Sequence, residues 1–432
     1  MKGRKNSMKK KLLIVISLLL VMNAFSCEEK NEVNSSEIVT ESSDEPLTVS
    51  LATFYNPSKT EKNLISKMSE QNIDVDIRFY ASSDTSDASE MLNLDMISGD
   101  CPDVLCLPAQ NMQSFTKMGY MTDLYPLLEN SPTLSQKDFL PNVLSGLDID
   151  GKLPAICDGF ILETAVAKSE IVGNDAENWT PQQALDLLNT MPEKTDFLKN
   201  TFRPTDVSYY LTECLEVEAV ANRNFDGEYR KMLDFIAETP EIMGDEMTEF
   251  SENGIIREVT IFGINNSVSI QVFADFQGEN VTFVGYPSEN GKGYLTEAND
   301  MFGIPETCPN KAEAFEVISL MMTDISANSY LQMGVPALEK RIENDLKVSK
   351  YTQSSINCPV NIGDEEVQMP AEKIQQVLDY IRRIDFEPYR TNWEISAIIR
   401  QEFNKFLHDE ITAEECSDTL NNRISLYLSE TN

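Results

Sequence analysis

Apolar residues recur along this chain with two periods that trade places. Residues 47–53 (LTVSLAT) read as a strand. Across 58–71, Leu64, Ile65 and Met68 fall at helical spacing. Val75, Ile77 and Phe79 then alternate with Asp76 and Arg78, which predicts a half-buried strand. Residues 91–98 return to a helical pattern and stop at Gly99. Residues 104–107 (VLCL) are a continuous apolar run after Pro102 and Asp103, as expected of a strand buried on both faces. Strand, helix, strand, helix, strand is the signature of an α/β fold.

Later helices are announced by their starts. Thr180-Pro181-Gln182-Gln183 sets a hydroxyl at the N-cap, proline in the first turn and glutamine three residues on. Asn310 with Glu313 opens a second helix, and Thr412 with Glu415 a third. Between them, 259–264 and 281–286 read as strands, and no internal repeat of fixed period is present.

The first residues follow a different rule. Lys2, Arg4, Lys5, Lys9, Lys10 and Lys11 precede an apolar run of eleven, Leu12 to Met22. A spanning helix needs about 20 such residues. A basic start and a short apolar core therefore predict a secretory signal over 1–26. The run ends at Ala24-Phe25-Ser26-Cys27, small residues before a cysteine that resemble a bacterial lipobox, so Cys27 is the expected lipidation site. Residues 27–46 are polar, acidic and rich in Ser and Asn, the composition of a flexible tether. The expected location is thus outside the cell, anchored to the outer face of the cytoplasmic membrane through Cys27.

Charge and composition narrow the function. The 432 residues carry 35 Lys+Arg against 71 Asp+Glu, a net charge of −36 that becomes −42 once the six basic residues of 1–26 are removed. So acidic a chain is a poor ligand for nucleic acid, which needs Lys and Arg to displace its counterions. It is also a poor match for passive adhesion to anionic lipid. The single histidine, His408, excludes an HExxH zinc site and any multi-histidine cage. Seven cysteines follow Cys27 without a CxxC, so they read as small buried hydrophobes, and no metal or cofactor is signalled. Neither GxSxG nor GxxxxGK[ST] occurs, and no catalytic residue is assigned. With 71 acids, a chance carboxylate pair is no argument for a glycosidase.

Several motifs in order carry a family resemblance. ISGDCPDV at 97–104 is followed by GYMTDLYP at 119–126, by DFLPNV at 138–143 and by DGK at 150–152. Asn178-Trp179-Thr180, the FVGYP run from Phe283, the FGIP run from Phe302 and the tail 411–430 continue the pattern. Together they resemble the bacterial extracellular solute-binding proteins (family 1) of carbohydrate-type ABC importers. The resemblance implies a two-lobed, periplasmic-binding-protein-like (type II) α/β fold with a ligand cleft between the lobes. It places one lobe at 47–161 with 298–338 and the other at 162–297 with 339–432. It also implies a monomer that captures a small solute, a sugar first of all, by lobe closure. The cargo would pass to the transmembrane subunits of a permease. A peptide or cationic solute, or a surface glycan hydrolase, stands as the alternative.

A sugar offers hydroxyls and apolar ring faces, so its site needs aromatic planes ringed by amides and carboxylates. Open α/β sheets bind ligands beyond the carboxyl ends of their strands. The candidates are Tyr55 and Asn56 after the first strand, and Gln110 and Asn111 after VLCL. Asp158 and Phe160 follow residues 153–157, and Asn265 and Asn266 follow TIFGI. Trp393 precedes the helix from Ile395, where the family often presents an aromatic to the cleft. Trp179 reads as packing, Asp103 as fixing the bend after Pro102, and His408 as a solvated or capping residue.

Overall fold

The computed structural model describes residues 46–54, 59–80, 85–173, 179–191, 214–217, 224–238, 255–261, 263, 280–289, 292–324, 334–348, 371–388 and 393–431. The signal segment, Cys27 and the tether therefore lie outside the described residues, as do Tyr55, Asn56, Asn265 and Asn266.

Strands β1 (Leu47–Thr53), β2 (Ile73–Phe79) and β3 (Val104–Pro108) form where the pattern places them. β1 lies between β2 and β3 and runs parallel to both, with Val49 opposite Val75 and Leu51 opposite Val104. Helices Lys59–Ser69 and Thr85–Ser98 make the crossovers that parallel pairing demands. β3 is buried from Val104 to Leu107, as its unbroken apolar run requires. Asp103 secures its entry: the Ser50 amide and hydroxyl donate to the Asp103 carboxylate at 2.8 and 2.7 Å, and the Cys308 thiol donates at 3.3 Å.

The chain then crosses between two sheets. β4 (Ile156–Cys157) belongs to the first, and β5 (Gly159–Lys168) is the centre of the second. β6 (Ile256–Ile261) and β7 (Val281–Thr282) pair antiparallel with β5. β8 (Leu295–Ala298) also pairs with β5, while β9 (Asp300–Gly303) returns to the first sheet between β3 and β4. β10 (Val335–Pro336) closes the second sheet against Phe160 and Gly159. The first sheet runs β2-β1-β3-β9-β4, so a parallel half meets an antiparallel return.

Two hydrophobic clusters fill the molecule. The larger holds the first sheet with Phe315, Ile318 and Met322 of helix Lys311–Thr323, and continues through Phe160 to Tyr380 and Phe386. The other packs Trp179, Leu185 and Tyr229 against Ile399 and Phe403 of helix Trp393–Leu407 and Leu420 and Ile424 of helix Ala413–Thr431.

Caps were legible at two of three starts. Thr180 and Gln183 make the reciprocal capping box, and so do Thr412 and Glu415. Asn310 does precede its helix, but at φ −115°, ψ 57° its side chain makes no cap bond. The strand expected over 281–286 is only Val281–Thr282. Gly285, at φ +74°, turns the chain so close to Gly293 that a Cβ would lie 2.5 Å from the Gly293 carbonyl oxygen. The strand expected over 259–264 starts earlier, at Ile256, because its register on β5 begins at Ala167.

Candidate functional site

Two segments carry the chain directly between the sheets, and a third packs against them at the same place. The first crosses at Asp158, between Cys157 in one sheet and Gly159 in the other. The second crosses at Asn299, between Ala298 and Asp300. The third follows β10: Ala337 donates its amide to the Asp158 carbonyl at 3.0 Å and accepts from Leu140 at 2.9 Å. The first two are stitched by Asp158 N–H to the Asp300 carbonyl (3.3 Å) and Asn299 N–H to the Gly159 carbonyl (2.9 Å).

Glycine is required for this approach. A Cβ on Gly159 would stand 2.7 Å from the Val335 carbonyl oxygen. Gly334 sits at φ +95°, a conformation L side chains rarely adopt, and its Cβ would strike Asn299 and lie 2.9 Å from the Phe160 carbonyl oxygen. Phe160 itself is fully buried, its ring 5.0 Å from that of Phe386, so it backs the junction from the core.

Charge is buried here. Asp158 is 1% exposed, Asp300 4% and Arg341, from helix Glu339–Val348, 7%. Neither carboxylate oxygen of Asp158 has a partner in hydrogen-bond geometry. Burial raises the Asp158 pKa well above the ordinary carboxylate range, and the neighbouring Asp300 adds to it. Arg341 and the amides of Asp300 and Asp158 pull the other way without cancelling the rise. Arg341 is lowered by burial against the pull of Asp158 and Asp345. Beside them, burial pushes the Cys157 thiol up.

The other expected residues are distributed as follows. Gln110 and Asn111 do not sit on a loop after β3. They lie in the first turn of helix Ala109–Lys117, which starts at once because Pro108, at φ −53°, already has helical φ. Gln110 is exposed, and Asn111 donates to the Ser89 hydroxyl at 2.6 Å. Trp393 is the first residue of helix Trp393–Leu407 rather than a residue ahead of it. Trp179 is buried and donates its indole N–H to the Gly285 carbonyl at 2.8 Å, a packing role. His408 is exposed and bonded to the Asn404 carbonyl at 2.7 Å, a capping role. The sequence reading missed Asp300 and Arg341. The available signal was an acid entering the apolar run MFGI at 301–304 and an arginine two residues into a helix behind Val335-Pro336.

No family model and no curated protein matches the chain. Solved structures do. Similarity extends to an extracellular solute-binding protein family 1 structure from Alicyclobacillus acidocaldarius, 11% identical, with 89% of this chain and 99% of that one covered and a TM-score of 0.57. A periplasmic oligogalacturonide binding protein from Yersinia enterocolitica is 13% identical over 89% and 99% of the two chains, TM-score 0.57. The fold is that of the extracellular solute-binding proteins. The solute-binding-protein fold does not by itself decide activity: a de novo designed cysteine esterase matches at 14% identity, covering 90% and 100%, TM-score 0.57. Here burial raises the thiol pKa of Cys101, Cys157, Cys308 and Cys416, the last two to about 12, which is the opposite of an activated nucleophile. Among the described residues no group of three or more His, Cys, Asp and Glu could hold a metal ion, and no helix is long and apolar enough to cross a membrane.

Proposed function

We propose that the chain is the extracellular solute-binding component of an ABC importer and that its solute is a carbohydrate. The observation that supports this reading is the junction: two sheets linked by neighbouring crossings with close glycine contacts, an arrangement suited to a hinge. In this reading the lobes are 47–161 with 298–338 and 162–297 with 339–432. They close around the solute and are held closed by contacts made to both at once. Asp158, Gln110 and Trp393 are its proposed partners on described elements. The anchor is acylated Cys27, and the cargo is released to the permease's transmembrane subunits without being altered. The oligogalacturonide-binding neighbour supports the carbohydrate class.

A peptide or cationic solute is the second reading, favoured by the buried acids Asp158 and Asp300 at the junction. Thermal unfolding with panels of oligosaccharides, peptides and polyamines separates the two. A ligand at 100 times its Kd adds about 2.7 kcal/mol of stability. The expected result is a raised Tm with oligosaccharides alone and no cleaved product on prolonged incubation. Stabilisation by polyamines or peptides only would replace the carbohydrate, and released sugar fragments would replace the binding role by hydrolysis.

A further inference from the structure

The junction buries two neighbouring carboxyls, Asp158 and Asp300, with the Arg341 guanidinium beside Asp158. Asp158 comes from the first crossing, Asp300 from the second and Arg341 from the helix behind the third; Asp345, one turn further along that helix, shares Arg341. The neighbouring Cys157 thiol is held neutral by burial. Two carboxyls as buried as Asp158 and Asp300 are costly to keep ionised side by side out of water. Asp158 is the member with both oxygens buried and no donor in hydrogen-bond geometry, so it is where a proton reduces the cost most.

We infer that Asp158 carries a proton when the crossings pack as seen here, and that this proton is a switch on the hinge. Its loss sets two carboxylates against each other across the first and second crossings and drives those strands apart. Opening then relieves the repulsion by admitting water. The inference bears on solute capture only under the reading above, where the grip on solute weakens as pH rises. The proton and the opening are both measurable without any solute.

The sign of the stability effect follows. A carboxyl raised in the folded state costs nothing below its unfolded value of 3.8. Above that pH it costs increasingly more until its folded pKa is passed. Asp158→Asn removes the ionising group and keeps the shape. Its Tm relative to wild type is therefore expected to climb from pH 4 to pH 8. If Asp158 were instead an ion-pair partner of Arg341, the variant would already trail wild type near pH 5 and by a nearly constant margin up to pH 8, and the proposal would be overturned.

Infrared spectroscopy of the full-length chain supplies the direct reading. A neutral-carboxyl stretch is expected at pH 7 in wild type and is expected to be missing from Asp158→Asn. Should that variant fail to fold, Asp300→Asn replaces it, and the band should then titrate away at lower pH because a like charge has gone. A wild-type spectrum without the band, or a band whose titration ignores Asp300→Asn, overturns the assignment. X-ray scattering of the solute-free protein tests the switch: the radius of gyration should grow as the band titrates away. A radius that stays constant through that titration would reduce the proton to a bystander. A band and an expansion found together with no carbohydrate binding would sustain the switch while removing the proposed solute.

Discussion

Asp103 shows how much one polar side chain can be asked to do. It accepts from the amide and hydroxyl of Ser50 on β1 and from the thiol of Cys308 beyond β9, while its own amide donates to the Ser50 carbonyl at 3.0 Å. Its position after Pro102 and before an apolar run marks it as structural from sequence, and the bonds bear that out. Hydrogen bonds to a charged group contribute about 1.5–3 kcal/mol each. Asp103→Ala leaves the buried Ser50 hydroxyl and amide without their carboxylate partner, so a loss of roughly 3 kcal/mol is expected in urea unfolding. Asp103→Asn keeps one acceptor and should recover part of it. Asp158 also borders a short apolar run, at its end rather than its start, yet its carboxylate has none of these donors. Nothing local shows which of the two will be bonded, because the donors of Asp103 come from elsewhere in the chain.

At the scale of elements, the parallel strands and their crossover helices were legible because periodicity is a local property. Cap boxes at Thr180 and Thr412 were legible for the same reason. β5 was not: the sequence reading stopped at 157, and ten residues, Gly159–Lys168, form the central strand of the second sheet. Its apolar and polar positions do not alternate cleanly, since it is the centre of its sheet, paired along its edges with β6, β7, β8 and β10, and is buried over most of its length. Where strands converge, glycine decides. Gly334→Ala is expected to cost at least about 2 kcal/mol, from backbone strain at positive φ together with the clash against the Phe160 carbonyl. Gly151, at φ +78° with open space around it, is the control. Gly151→Ala meets only the strain, about 1 kcal/mol. Equal losses at the two glycines in denaturant unfolding would show that close packing at the crossings contributes nothing.

For the whole molecule, the feature on which the proposed function rests is the pair of neighbouring crossings between the two sheets, read there as one hinge. Binding at such a hinge predicts compaction: under the proposed function, a saturating oligosaccharide should reduce the radius of gyration measured by X-ray scattering, and its removal should restore it. Gly159→Ala, by wedging β5 against β10, should blunt that change while leaving the helices intact by circular dichroism. The sequence by itself determined the α/β class, the strands and helices that build the parallel half of the first sheet, two of the helix caps, and the structural duties of Asp103 and Trp179. It also argued against nucleic-acid binding and ruled out a multi-histidine metal cage, because charge and composition act over the whole chain. Only the tertiary structure brought Asp158, Asp300 and Arg341 into one buried cluster. The reason is physical: periodicity and caps are written in neighbours a few residues apart. The dielectric around a carboxyl is set by whatever the fold packs against it.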